Sequence, residues 1–185
     1  MKSKLITVVG APLSGKSTLA SSVQTKLKKL HKNSIFVGEA ATDYIANNGV
    51  PTTPTDQIII FYKQLEKEKM FLNIKDYIIC DSSTLLNYFY FRSLFPNPLS
   101  AKDITTINHI QKEILNTINS WHRIYYVPPI YKTDTKDGIR FHDNDEIRKI
   151  DRLIKSYLEI ENIPYIDLSD VDIDKRSEYI IKDIS

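Results

Sequence analysis

The sequence is poor in the residues that build disulfide frameworks, flexible tracts and membrane spans. Its 185 residues include one cysteine, five glycines and one tryptophan. The single cysteine, Cys80, excludes an intrachain disulfide, so we expect a reducing compartment and a buried core position for this thiol. The chain lacks any run of about 18 apolar residues, which predicts no membrane-spanning helix and favours a cytoplasmic protein. The apolar stretch 5–9 is too short for the core of a signal peptide.

An excess of charge of either sign is also missing. Lysine and arginine number 25 and the acidic residues 23, which leaves a formal net charge of +2. This is too small to indicate a surface for nucleic acid or membranes. The one basic cluster, 26–32, is interpreted as the exposed face of a helix. The four histidines have no metal-ligand spacing with one another or with Cys80, so we expect no zinc site.

Short apolar runs rich in β-branched residues alternate with amphipathic segments along the chain. The predicted strands are 5–9, 34–38, 77–80, 123–127 and 165–168, and the predicted helices are 16–30, 53–74, 84–94, 101–120, 145–161 and 172–184. This alternation predicts one α/β domain over 1–185, with a mainly parallel sheet and helices on both faces. The polar, aperiodic segment 130–144 is predicted to be a lid after the fourth strand.

Residues 10–17 carry the pattern G-x-x-x-x-G-K-[ST] between the first predicted strand and the first predicted helix. Gly10 and Gly15 allow the backbone to curl, so that successive N–H groups point at phosphate oxygens and the helix start adds its positive dipole end. Lys16 is predicted to bridge the β- and γ-phosphates of ATP, and the Ser17 hydroxyl to bind Mg²⁺. By chance, such a pattern occurs in roughly one chain of this length in a hundred. The expected nucleotide-binding residues are Gly10, Ala11, Pro12, Leu13, Ser14, Gly15, Lys16, Ser17 and Thr18.

Acidic residues follow three of the predicted strands, where ligands of open α/β sheets bind. Asp81 is a candidate for the second Mg²⁺ anchor, with a helix N-cap as the alternative role. Glu39 is a candidate general base or contact for the hydroxyl of a phosphate acceptor, with a surface carboxylate as the alternative. Asp170 follows the fifth strand.

Phosphoryl transfer also requires positive charge near the migrating group, and the chain has only six arginines. Arg140 lies in the predicted lid, where closure would bring it over the phosphates. Arg148 beside the lid and Arg92 on the helix after Asp81 are further candidates, for which an exposed surface position is the alternative.

Four segments carry a family resemblance: residues 10–17; Gly-Glu-Ala-Ala-Thr-Asp-Tyr at 38–44; Ile-Cys-Asp-Ser at 79–82; and Tyr-Val-Pro-Pro at 126–129 with Asp-Gly-Ile-Arg at 137–140. Together they resemble the small P-loop kinases like the ribosylnicotinamide kinase domain, and the ATPase-like proteins grouped with them. The resemblance implies a P-loop NTPase fold with strand order 2-3-1-4-5, an acceptor site at Glu39, and Arg140 on a mobile lid. Asp43, within the second of these segments, is a further candidate at the acceptor or the lid. The family usually has an arginine three residues after the glutamate, where this chain has Thr42. The resemblance therefore leaves the acceptor unidentified.

The leading prediction is a kinase that uses ATP and Mg²⁺ to phosphorylate a nucleoside, a nucleotide or a related small metabolite. One alternative is a kinase that acts on a nucleic-acid end or a modified base in DNA. The near-neutral net charge argues against the positively charged groove that binding a nucleic-acid strand requires. Another is a nucleotide-binding switch, an ATPase or GTPase that acts through a protein partner. No Asn-Lys-x-Asp string for reading guanine occurs. The oligomeric state stays open, a homodimer included.

Overall fold

Five short strands form the centre of the structure, a computed structural model that describes residues 2–94, 100–118, 121–130 and 144–185, with side chains 92–94 and 117–118 outside the description. The strands are β1 (Lys4–Val9), β2 (Ser34–Val37), β3 (Tyr77–Asp81), β4 (Trp121–Tyr126) and β5 (Ile166–Asp167). They pair in parallel in the order β2-β3-β1-β4-β5. The predicted sheet and its strand order are confirmed.

The helices of the described residues are α1 (Lys16–Lys29), α2 (Ala40–Asn48), α3 (Pro54–Met70), α4 (Thr84–Leu94), α5 (Ala101–Ile118), α6 (Asn144–Ile160) and α7 (Arg176–Ile184). Alternate side chains of each strand point to opposite faces of the sheet. One face packs apolar side chains of α3, α4, α5 and α6 around Ile78 and Cys80 of β3, and the other packs α1 and α7 against Ile79. Helices therefore cover both faces, as predicted.

The strand register brings the carboxyl ends of four strands, β1 to β4, to one edge of the sheet. Val8 of β1 lies opposite Asp81 of β3, Val9 lies opposite Tyr126 of β4, and Val37 of β2 lies opposite Cys80. The chain consequently leaves the sheet at neighbouring points after β1, after β2 and after β3. This edge is where an α/β sheet binds its ligands.

The start of α3 has the predicted cap. The Thr53 hydroxyl accepts a hydrogen bond from the Asp56 N–H at 3.3 Å, and the Asp56 carboxylate accepts one from the Thr53 N–H at 2.8 Å. The hydroxyl of Tyr44 on α2 also donates to Asp56, at 2.7 Å. The bond from Tyr44 and then the backbone bonds lower the pKa of Asp56 to about 2. The cap thus also ties α2 to α3.

One helix and several element boundaries differ from the predictions. Helix α2 was not predicted, because its only buried residues are Ala40 and Tyr44 and its end at Gly49 lies within a turn-like cluster. Helix α3 ends at Met70 rather than at residue 74, and the last predicted helix begins as a 3-10 turn, Ile173–Lys175. Of the predicted lid, residues 131–143 lie outside the described residues.

None of the helices in the described ranges combines the length with the hydropathy that a bilayer crossing requires.

Candidate functional site

The turn between β1 and α1 contains the sequence pattern of residues 10–17. A Cβ on Gly10 would lie 2.3 Å from the backbone oxygen of Val127, so the end of β4 leaves no room for a side chain. Gly15 directly precedes α1 at φ 82°, and Leu13 adopts φ 58°. Backbone in this region is costly for residues other than glycine and concentrates at functional sites. The turn is therefore a tightly curled loop at a helix start.

Lys16 is the first residue of α1 and folds back over this turn. Its Nζ donates to the Ala11 carbonyl oxygen at 2.7 Å and to the Ser14 hydroxyl at 3.4 Å. The next two residues, Ser17 and Thr18, expose their hydroxyls in the first helical turn. An ammonium group, a hydroxyl and the positive end of a helix dipole converge at this point, which is the chemistry that binds a polyphosphate anion.

Asp81 is the last residue of β3 and is 6% exposed. It lies opposite Val8 of β1, two residues before the curled loop begins. The following backbone stays attached to β1, since the Ser82 N–H donates to the Val8 oxygen at 3.2 Å and the Thr7 hydroxyl donates to the Ser82 oxygen at 3.2 Å. Ser82 adopts φ 61°, and Ser83 rather than Asp81 directly precedes α4. This geometry fixes the backbone of Asp81 beside β1, two residues from the start of the loop.

Glu39 directly precedes α2, two residues after the end of β2, and its side chain makes no capping bond to the helix. The Thr42 hydroxyl donates to Glu39 Oε2 at 2.9 Å. Because β2 pairs with β3, Glu39 and Asp81 leave the sheet from adjacent strands. The hydrogen bond from Thr42 thus restrains the carboxylate of Glu39.

The remaining predicted site residues lie elsewhere or outside the description. Asp43 is exposed on α2 and forms an ion pair with Lys67 of α3. Arg148 is exposed on α6 and pairs with Asp145 at 3.2 Å. Arg92 belongs to α4 but its side chain is outside the described residues, as is the whole of Arg140. Asp170 is exposed after β5.

The oxygen donors at this edge match what Mg²⁺ requires. A magnesium ion takes few protein ligands and completes its shell with water and substrate phosphates, so a hydroxyl from Ser17 and a carboxylate from Asp81 suit it. Within the described part of the chain, no three side chains of histidine, cysteine, aspartate or glutamate gather into a metal-binding group. The pair Ser17 and Asp81 would therefore suit an ion that takes most of its ligands from water and phosphate oxygens.

Helix α3 buries three polar residues, Gln57, Gln64 and Glu68, and the sequence pattern did not single out any of them. Gln64 is 1% exposed and Glu68 is 2% exposed. Both lie on the helix face that also buries Ile60 and Phe61. Burial is the largest influence on the Glu68 carboxyl and raises its pKa to about 7. Burial, followed by the negative charges of Glu68 and Asp81, raises the pKa of the Cys80 thiol. The available signal was their spacing, since two polar residues occupied core positions of a helix.

The comparisons with known proteins agree with this architecture. A family model described as an AAA domain matches residues 5–176. The structure of NadR protein in complex with NR superposes with a TM-score of 0.72 at 16% sequence identity, covering 98% of this chain and 50% of that one. The chain thus spans about half the length of that NadR protein. A search of curated proteins gave no match.

Two nucleotide-metabolising kinases share the fold over nearly their whole length. Deoxyadenosine kinase from M. mycoides with bound dCTP has a TM-score of 0.63 at 14% identity, covering 97% of this chain and 98% of that one. Thymidylate kinase from Candida albicans has a TM-score of 0.58 at 18% identity, covering 99% of this chain and 91% of that one. At such identities the likeness is one of fold.

Proposed function

The chain belongs to the AAA domain family and has the fold of P-loop kinases, and from this premise we propose that it is a small-molecule kinase. It transfers the γ-phosphate of ATP, with Mg²⁺, to a nucleoside, a nucleotide or a related metabolite. The observation that carries the proposal is the convergence of the curled loop, Asp81 and Glu39 at one edge of the sheet. Phosphoryl transfer depends on positioning and charge stabilisation, which these groups supply together.

On this proposal the loop residues bind the triphosphate. The N–H groups of residues 10–17 and the start of α1 bind phosphate oxygens, and Lys16 exchanges its bonds to Ala11 and Ser14 for bonds to the β- and γ-phosphates. The Ser17 hydroxyl and the Asp81 carboxylate hold Mg²⁺, directly or through water. Bound magnesium neutralises charge on the phosphates during transfer.

Glu39 acts at the acceptor side. Its carboxylate accepts the proton of the attacking hydroxyl or holds that hydroxyl in line with the γ-phosphate. The bond from Thr42 limits the rotation of this carboxylate and so favours one orientation. Asp43 and Arg92 are further candidates on the acceptor side, whereas Arg140 and Arg148 remain predictions for lid closure over the phosphates.

The acceptor class is proposed from chemistry and fold together. The related folds include a deoxyadenosine kinase and a thymidylate kinase, and the edge carries an acidic residue suited to a hydroxyl acceptor. The compartment proposed is the cytoplasm, with which the single, buried cysteine of the chain, Cys80, is consistent.

The test is a transfer assay with γ-labelled ATP and Mg²⁺ against a panel of nucleosides, nucleoside monophosphates and ribosylnicotinamide. We expect label to appear in at least one panel member. Lys16→Ala should abolish transfer and leave the unfolding midpoint near that of the parent, because the bonds of Lys16 to Ala11 and Ser14 lie within the phosphate-binding turn and not in the core. Lys28→Ala is the matched control, since Lys28 is exposed on the same helix.

The outcomes separate the proposal from its alternatives. Lys16→Ala turning over at the parent rate would contradict the proposed mechanism. If no panel member is labelled while slow hydrolysis of ATP persists, the switch becomes the better hypothesis. Label on an oligonucleotide instead would favour the kinase for nucleic-acid ends. The described residues contain no observation that favours either alternative over the small-molecule kinase.

A further inference from the structure

Helix α3 carries a glutamine and a glutamate on its buried face. Gln64 is 1% exposed and Glu68 is 2% exposed, one helical turn apart. Burying a carboxyl group and an amide is unfavourable unless their hydrogen-bonding groups find partners. Their partners therefore indicate what this pair does.

Glu68 binds the start of α4. Its Oε1 accepts a hydrogen bond from the Thr84 N–H at 2.8 Å, and its Oε2 accepts one from the Thr84 hydroxyl at 3.1 Å. The first N–H groups of a helix have no partner within the helix, and a carboxylate at this end also interacts favourably with the helix dipole. A residue of α3 thus caps α4 from outside that helix.

Gln64 binds the start of α2 in the same manner. Its Oε1 accepts a hydrogen bond from the Ala40 N–H at 2.8 Å, and its Nε2 donates to Glu68 Oε1 at 3.3 Å. The amide of Gln64 thereby joins the two caps. A continuous buried chain of hydrogen bonds runs from Ala40 through Gln64 and Glu68 to Thr84.

The two helix starts that this chain connects are those that carry the candidate acidic residues. Glu39 directly precedes Ala40, and Asp81 lies three residues before Thr84. We propose that Gln64 and Glu68 are positioning residues, which hold Glu39 in register with Asp81 for phosphoryl transfer without touching either substrate. This inference rests on the proposed kinase function, and it adds to that site two residues of α3 that position the acidic residues through hydrogen bonds.

Kinetics distinguish positioning from a contribution to stability alone. Glu68→Leu removes the acceptor of Thr84 and the partner of Gln64, and we expect kcat/KM for the phosphorylated panel member to fall about 10- to 100-fold, since small misplacements at a reacting centre have such effects. The Kd for Mg·ATP should change less than about three-fold, because the curled loop lies outside this chain of bonds. Glu66→Leu is the matched control on the exposed face of α3.

Glu68→Gln tests the hydrogen bonds without the charge. Its amide oxygen accepts from the Thr84 N–H and from Gln64, while its amino group donates to the Thr84 hydroxyl. We expect kcat/KM within about three-fold of the parent, because each bond of the chain keeps a partner. If Glu68→Leu does not fold, Gln64→Met is used instead, since it removes the Ala40 contact and leaves Glu68 bonded to Thr84; the same loss of kcat/KM is expected.

Amide hydrogen exchange tests the connection independently of any acceptor. Glu68→Leu should speed exchange at Ala40 as well as at Thr84, although Glu68 is bonded only to Thr84 and Gln64 among the contacts described. Faster exchange at both amides together with the kinetic loss supports the proposal. Unchanged exchange at Ala40, or parent-like kcat/KM in Glu68→Leu and Gln64→Met, overturns it. A panel with no phosphorylated member refutes the kinase instead, and the exchange result then still decides whether the two helix starts are coupled.

Discussion

Replacing Glu68 by glutamine should change how the stability of the protein depends on pH. The carboxyl group is buried on α3, and burial raises its pKa to about 7 despite the opposing hydrogen bonds from Thr84 and Gln64. The ordinary pKa of this group, which applies in the unfolded chain, is 4.5. Between these two values the folded protein holds a proton on Glu68 that the unfolded chain has lost.

The sign and size of the effect follow from proton linkage. Where the folded state binds more protons, the free energy of unfolding decreases as the pH rises. The contribution of Glu68 is therefore absent well below pH 4.5, grows through the window, and levels off above about pH 7. The two pKa values differ by about 2.5, and a difference of one corresponds to about 1.36 kcal/mol. Ionisation of Glu68 therefore destabilises the folded protein by about 3 kcal/mol. About 2.5 kcal/mol of this develops between pH 5 and pH 8.

Urea unfolding at several values between pH 5 and pH 8, followed by circular dichroism, measures this contribution. Glu68→Gln should gain about 2.5 kcal/mol relative to the parent across that range, because glutamine keeps the hydrogen bonds and never ionises. For Glu66→Gln, on the exposed face of α3, the free energy of unfolding should change with pH as it does in the parent. Contributions that are common to the three proteins cancel in the difference. If the curves of the parent and Glu68→Gln stay parallel, the carboxyl ionises as it does in water and the reasoning from burial is refuted.

Three further perturbations test the site and the sheet. Gly10→Ala should destabilise the fold by about 2 kcal/mol or more and abolish Mg·ATP binding, because its Cβ would meet the Val127 oxygen at 2.3 Å; a variant as stable as the parent in urea would show that the turn has room. Asp81→Asn should weaken ATP binding in calorimetry with Mg²⁺ far more than with EDTA, and an equal loss in both buffers would argue against a metal role. Tyr125→Phe removes a 2.6 Å hydrogen bond to Asp183 and should cost about 1 kcal/mol in urea unfolding, so an unchanged midpoint would mean that this bond contributes nothing.

The parts of the fold that sequence could predict are those in which local pattern and tertiary context agree. The strands of the inner sheet are continuous apolar runs because both of their faces are buried. The start of α3 was predictable from Thr53 and Pro54, since capping is local chemistry. The strand order, in contrast, came from the family resemblance, because periodicity does not encode which strands become neighbours.

The features that sequence could not predict depend on contacts between distant segments. Helix α2 is short and buries two side chains, so its pattern carries little hydrophobic signal. The spacing of Gln64 and Glu68 places them at core positions of α3, but only the packing against α2 and α4 reveals their hydrogen-bond partners. The hydrogen bond from Thr42 to Glu39 likewise could not be predicted, because it depends on the conformation of the first turn of α2.

The lone thiol of the chain has a practical consequence. Cys80 is fully buried in β3 and its acidity is suppressed by burial and by neighbouring carboxylates. Alkylating reagents attack the thiolate, so the native molecule is inert to them and modification occurs only in molecules whose central sheet has come apart. The rate of alkylation therefore reports how often the core opens, and this opening can be followed without an engineered label.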